Sequence, residues 1–178
     1  MRRLVASVCL ITTGDKDGPK AGLTATAVCS VAADPPTLLC CVNRSNSSYN
    51  AILSASVFAV NVLALEDRQI ADHFAGRLSP AEKFEKGLWR TAETGAPLLE
   101  SALAAFDCRL AQHVEVGTHG ILFGAIQEVS VRPGDAKPLI YAQAGYGGFA
   151  SFESARSADM IWNPQWDHAD AGGFEPAA

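Results

Sequence analysis

A mainly β, largely antiparallel barrel with short peripheral helices is the fold class this sequence predicts. Three observations carry it. Runs rich in Val, Ile, Leu and Thr recur along the chain, and clusters of Gly, Pro, Asp and Asn separate them. These runs do not alternate regularly with helical segments, which argues against a doubly wound parallel sheet. The chain of 178 residues is 48% hydrophobic and 19% charged, with only 15 Gly and 9 Pro, as suits one globular domain.

Val5 to Thr13 is rich in β-branched residues and reads as the first strand, closed by a turn over Gly14, Asp15, Lys16, Asp17, Gly18 and Pro19. Gly22 to Ala32 reads as a second strand, broken by Asp34-Pro35-Pro36 because proline lacks a ladder donor. Thr37 to Val42 is a compact apolar strand. The stretch 45–55 is polar and then helical in spacing, with Tyr49, Ile52 and Leu53 on one side. Phe58 to Leu63 is again a strand, and Glu66 to Phe74 a helix with acidic residues in its first turn. Ser79-Pro80-Ala81-Glu82 starts a further helix: Ser79 as N-cap, Pro80 at the first helical position, and Glu82 completing a capping box. The long strands Ala104 to Val116 and Ile121 to Val131 follow, separated by Gly117-Thr118-His119-Gly120, and Pro138 to Ala142 is a last short strand.

The formal net charge is −5, from 19 acids against 14 bases, which argues against a nucleic-acid partner. Charged residues interrupt every apolar run well short of the ~20 residues of a membrane helix. The opening Met1-Arg2-Arg3 and the apolar stretch after it imitate a secretory signal, but Asp15, Lys16, Asp17 and Lys20 lie between that stretch and the cleavage-like Ala25-Thr26-Ala27. A cytoplasmic protein is expected. The five cysteines, Cys9, Cys29, Cys40, Cys41 and Cys108, are odd in number and form no CxxC pair, so reduced thiols and no metal site are expected.

Four stretches are candidates for chemistry. Thr24, Ala25, Thr26, Ala27, Val28, Cys29 and Ser30 put small and hydroxyl residues where a half-buried strand normally carries large apolar ones. Such a surface admits a flat ligand close to the backbone; tight packing of sheet on sheet is the plainer alternative. Asn43, Arg44, Ser45, Asn46 and Ser47 concentrate amides, hydroxyls and a guanidinium just before a helix, a set that suits a phosphate. An ordinary N-capped loop needs only one of them. His119, beside glycines between two strands, either titrates in a site or merely faces solvent. Gly145-Tyr146-Gly147-Gly148-Phe149-Ala150 satisfies G-x-G-x-x-G/A, but the 28 residues after it hold no second strand for a dinucleotide fold. It reads as a glycine-rich turn that places Tyr146 and Phe149.

In order and spacing, these segments resemble the short-chain flavin reductases. The resemblance runs from about Leu4 to Phe149. It includes the 22–31 stretch, Asp34-Pro35-Pro36-Thr37-Leu38-Leu39, Asn43-Arg44-Ser45 and Phe58-Ala59-Val60-Asn61-Val62-Leu63. Phe74-Ala75-Gly76, Phe106-Asp107-Cys108-Arg109 and 116–124 complete it. This family supplies reduced flavin to two-component monooxygenases, as in the reductase components of 4-hydroxyphenylacetate hydroxylase and of the pyrimidine-utilisation pathway.

The resemblance implies an FMN-binding split β-barrel of Greek-key type, expected over residues 1–156; by its composition, with four acids and no Lys or Arg, 157–178 reads as an acidic C-terminal tail. It implies a homodimer that reduces FMN, or FAD, with NADH or NADPH and passes it to a partner monooxygenase. Residues 24–30 would lie along the isoalloxazine ring, and 43–47 would hold the ribityl phosphate. Phe74, Ala75 and Gly76 would border the flavin. His119 would orient the nicotinamide, and Tyr146 to Phe149 would cover the site. Many relatives have Gly-Asp-His where this chain has Gly117-Thr118-His119, and a basic residue where it has Gly147-Gly148. A flavin-dependent reductase of a corrinoid or ferric complex, and a non-catalytic FMN-binding barrel, are the alternative expectations.

Overall fold

A computed structural model describes residues 2–14 and 18–151. The turn expected over 14–19 lies partly outside the described residues, and the 157–178 tail wholly so. In chain order the elements are β1 (Ala6–Ser7), β2 (Cys9–Thr13), β3 (Ala21–Ala25), β4 (Val28–Ala33), β5 (Pro36–Asn43), α1 (Ser47–Ala55), β6 (Val57–Val62), a 3-10 turn (Leu65–Asp67), α2 (Arg68–Ala75), α3 (Pro80–Lys83), β7 (Trp89–Thr91), β8 (Pro97–Leu99), β9 (Ala104–Val116), β10 (His119–Val131), β11 (Leu139–Ala142) and β12 (Gly145–Gly148).

The main sheet has strand order β3-β2-β6-β9-β10-β5-β4, with antiparallel pairings throughout. Strands far apart in sequence meet at β2–β6 and β5–β10, as a Greek-key connection requires. Strands β3 and β4 are sequence neighbours, yet they form opposite edges of this sheet. The β4–β5 ladder runs one rung past β4, the Cys41 N–H donating to the Ala27 carbonyl at 2.9 Å, before the chain crosses the seam to β3. No ladder joins the two edge strands, so the barrel is split there.

That geometry corrects the single strand expected over 22–32. The chain bends at Thr26-Ala27 and leaves one edge for the other. Small side chains permit the bend, since no large group must be repacked through it. The first strand is likewise divided. Val8 donates its N–H to Leu139 O at 2.9 Å, and its carbonyl accepts from Leu63 N at 3.0 Å, so β1 joins a second sheet, β1-β11-β12.

Strand β2 is buried on both faces, and its period of two feeds two cores. Cys9 and Ile11 pack with Leu38, Cys40, Val42, Ile52, Phe58, Val60 and Leu122 inside the barrel. Val8 and Leu10 pack with Leu63, Phe74, Leu99 and Leu139 on its outside. Each fully buried Leu, Ile or Phe contributes about 1.5–3 kcal/mol of transfer free energy.

The capping box is present: Glu82 N donates to Ser79 Oγ at 3.4 Å and Ser79 N to Glu82 Oε2 at 2.8 Å. It opens a helix of only four residues, however. The hairpin β7–β8 was not evident in the sequence, because strands of three residues are too short to show a period. The expected 145–150 turn is a correction too. Residues 145–148 are a strand paired with β11, a register glycine composition conceals. His119 also sits in β10 rather than in the turn; the loop is Gly117-Thr118, with Gly117 at φ +56° as a tight hairpin demands.

The tip of the β11–β12 hairpin is Gln143-Ala144, at φ +52° and +64°. L-residues favour neither value, and a two-residue tip of this kind prefers Asn-Gly. Ala144→Gly is therefore expected to raise stability by up to about 1 kcal/mol. The measurement is the urea midpoint at unchanged m-value; a lowered midpoint contradicts the assignment.

Candidate functional site

The seam places the small-residue corner at the surface. Val8, Thr24, Ala25 and Thr26 line one part of a cavity of about 210 Å³, and Ala75, Tyr141 and Tyr146 line the rest. Thr24 ties its strand to α2, its hydroxyl donating to Ala71 O at 2.7 Å. That bond fixes the end of α2, where Ala75 borders the cavity and Gly76 N–H closes the helix on Asp72 O at 3.1 Å.

The aromatic wall comes from the β11–β12 pair, in which Tyr141 and Tyr146 face each other in register. Their rings meet edge to face, with centroids 5.4 Å apart. The Arg68 guanidinium lies 5.8 Å from the centre of the Tyr146 ring. Burial, and then the Asp72 carboxylate to which it is hydrogen-bonded, push the Tyr146 phenol above its ordinary pKa. It stays a protonated donor at neutral pH.

On the other side of the corner, β5 ends in the polar loop. Asn43 Oδ1 accepts from Ser45 N at 2.9 Å and from Ser45 Oγ at 2.8 Å. Asn46 Oδ1 accepts from Ser48 N at 2.9 Å, which makes Asn46 the N-cap of α1. These bonds occupy both asparagine oxygens. The groups facing outward are the Ser47 hydroxyl, which has no hydrogen-bond partner among the described residues, and Arg44, which is held by one carboxylate. His119 is opposite Asn43 in the ladder, its Nδ1 2.9 Å from Thr118 Oγ1.

The structure thus gathers Thr24, Ala25, Thr26, Ala75 and Tyr146 around one cavity, with Asn43 to Ser47 and His119 together on the loop side. Ala27 continues the β4–β5 ladder, its carbonyl accepting from Cys41 N. Val28 packs against the barrel core, while Cys29 and Ser30 are exposed along the β4 edge and do not line the cavity. Phe74 is buried, packing against Phe84 and Trp89 at centroid distances of 5.2 and 5.5 Å, so it supports the wall from behind. Val8 and Tyr141 line the cavity and were not singled out in the sequence. Val8 carries no signal of its own, whereas Tyr141 follows once 145–148 is seen as its strand partner.

All five cysteines are unpaired thiols. Burial pushes the Cys9 and Cys108 thiols up to about 12, so neither is a nucleophile at neutral pH.

Comparison with known proteins fits this geometry. The family profile described as Flavin reductase like domain matches residues 1–150. The chain belongs to the flavin reductase-like family. It is 45% identical over 150 residues to "FMN reductase (NADH) RutF" of Ancylobacter novellus, covering 84% of this chain and 82% of that one. It is 46% identical over 141 residues to the protein of the same name in Pseudomonas syringae pv. syringae, covering 79% and 78%. Among solved structures, BorF, the flavin reductase component of a bacterial two-component tryptophan halogenase, superposes with a TM-score of 0.77 at 28% identity, covering 84% of this chain and 94% of that one. The Streptomyces globisporus NADH:FAD oxidoreductase SgcE6 gives 0.77 at 27%, covering 84% and 88%.

For this flavin reductase-like chain, the Thr24–Ala71 bond becomes a test of how β3 and α2 set the cavity. Thr24→Val should cost about 1 kcal/mol in stability. It should also weaken flavin binding several-fold, as the Ala75 border loosens. Flavin titration by fluorescence quenching, together with thermal melting, measures both; flavin affinity unchanged despite a lower melting temperature would remove the bond from the site.

Proposed function

We propose that this chain is an NADH-dependent FMN reductase. The observation that carries the reading is the cavity beside the seam, whose floor is Thr24 to Thr26 and whose wall is Tyr141 and Tyr146. Its small residues suit a flat ring system, and the loop 43–47 next to it suits a phosphate. A cavity of about 210 Å³ takes one planar ring portion rather than a whole dinucleotide. The donor set and the shape fit FMN, whose ring accepts hydride from the nicotinamide.

The protein's own part is binding and orientation. Backbone amides around Thr26 offer donors at the ring's edge, and the tyrosine wall limits access of water. Arg44 and Ser47 hold the phosphate. His119, on the loop side rather than at the tyrosine wall, orients the nucleotide donor. The relatives at 45–46% identity are named for FMN and NADH, which favours this pair over FAD and NADPH.

We further propose a homodimer in the cytoplasm that hands reduced flavin to a monooxygenase. Val31 on the edge strand β4 is 48% exposed, and Val114 and Val116 on the projecting end of β9 are 40% and 58% exposed. Edge strands and apolar patches of this kind are normally covered. Among the described residues no helix is long and apolar enough to cross a membrane.

The deciding experiment follows NADH oxidation by the purified protein with and without FMN. Flavin-dependent oxidation is expected, and its absence with both NADH and NADPH overturns the reading. Arg44→Ala combined with Ser47→Ala is expected to weaken FMN at least tenfold and riboflavin little, since charge-assisted bonds to the phosphate are worth about 1.5–3 kcal/mol. Equal losses for both flavins remove the phosphate assignment. His119→Ala should raise the KM for NADH more than it lowers kcat; a fall in kcat alone contradicts the orienting role.

A further inference from the structure

Arg44 carries a counter-charge of its own. Its Nη2 lies 3.0 Å from Glu115 Oε2, and its Nη1 donates to the Gly117 carbonyl at 3.4 Å. Both partners belong to the β9–β10 hairpin, not to the polar loop. Glu115 is held in place by a third residue: the Tyr49 hydroxyl donates to Glu115 Oε1 at 3.3 Å.

Tyr49 lies in the first turn of α1 and is buried, only 3% exposed. It reaches Glu115 because the ladder residue opposite Glu115 is Gly120. A Cβ at position 120 would fall 2.7 Å from the Tyr49 Cζ and from its hydroxyl oxygen. Burial, and then the Glu115 charge, raise the Tyr49 phenol above its ordinary pKa, so it remains a donor. Gly120, Tyr49, Glu115 and Arg44 form a chain running from the core to the guanidinium.

We propose that Glu115 is an affinity-setting residue: it occupies the guanidinium that the flavin phosphate would use, and so keeps FMN loosely held and exchangeable. The proposal rests on the assignment of residues 43–47 to that phosphate. A phosphate arriving at Arg44 must displace the carboxylate or accept its repulsion. The Arg44 and Glu115 side chains are both 45% exposed, and ion pairs of that kind are weak. The phosphate is therefore admitted at a moderate penalty rather than excluded. Riboflavin, which has no phosphate, meets no such penalty. Loose binding is what a reductase that releases its flavin to a partner requires.

The test is Glu115→Gln, which keeps the acceptor for Tyr49 and removes the charge. FMN is expected to bind about fivefold more tightly, corresponding to about 1 kcal/mol. It should also dissociate more slowly, while riboflavin affinity stays unchanged. Inorganic phosphate should compete with FMN more effectively in the variant. Unchanged or weaker FMN binding overturns the proposal, as does an equal shift for both flavins. Arg44→Ala in the same background separates the two readings. If it affects FMN and riboflavin alike, the phosphate assignment itself fails. If it weakens FMN selectively while Glu115→Gln has no effect on FMN, only the role of Glu115 fails.

Discussion

The β4–β5 ladder runs one rung past β4, the Cys41 amide donating to the Ala27 carbonyl at 2.9 Å. The candidate site depends on where that ladder stops. Beyond Ala27 the chain crosses through Thr26 to β3 at the opposite edge of the sheet, where Ala25 lies opposite Cys9 in β2. Thr24 to Thr26 are thus held at the end of the ladder, and β5 runs on from it directly into the polar loop at 43–47. A flat-ligand surface and a phosphate-suited loop become neighbours through this one anchored corner.

The constraint holds because the structure on either side of it is rigid. Asn61, fully buried in β6, accepts from Leu99 N at 2.8 Å and donates to Thr12 Oγ1 at 3.1 Å. This joins the β7–β8 hairpin to the barrel. Asp107 does the same from β9, accepting from Thr94 N at 2.9 Å; its burial raises its pKa, and the Thr94 bonds oppose that shift. Among the described residues no buried side-chain N or O atom lacks a partner. A satisfied polar network of this kind specifies one arrangement of strands, because every alternative register would strand a buried donor or acceptor.

The fold class, and most of the residues that line the candidate site, were legible in the sequence because both depend on local signals. Ala104 to Val116 was bounded correctly by its apolar pattern and by the glycine after it, and the polar loop was marked by composition. What it did not reveal depends on tertiary geometry. The break at Thr26-Ala27 is invisible along the chain, since Ala and Thr are equally at home in a straight strand. Tyr141 became part of the site only through pairing with a strand made of Gly145-Tyr146-Gly147-Gly148, whose composition argues for a turn. Asn43 and Asn46 were rightly placed in the loop, but their oxygens are spent on backbone donors. Residue type alone cannot distinguish a ligand-facing amide from one that builds the loop.

Side chains at the cavity and at the loop do different work. Ala25, Thr26 and Ala75 offer little beyond the shape of the backbone they sit on, so in the proposed reading ring recognition is set by the fold. Recognition of charge falls to a few exposed groups on the loop and on the hairpin beside it. Four of the 19 acids lie in 157–178, with no Lys or Arg there, leaving 15 acids against all 14 bases in 1–156. A nearly neutral body exerts little long-range pull on an anion, and at 0.15 M salt the field of any one exposed charge fades beyond about 8 Å. In the proposed reading the local balance at Arg44 therefore governs how a phosphate is held, and net charge, the most conspicuous electrostatic feature of the sequence, says almost nothing about it.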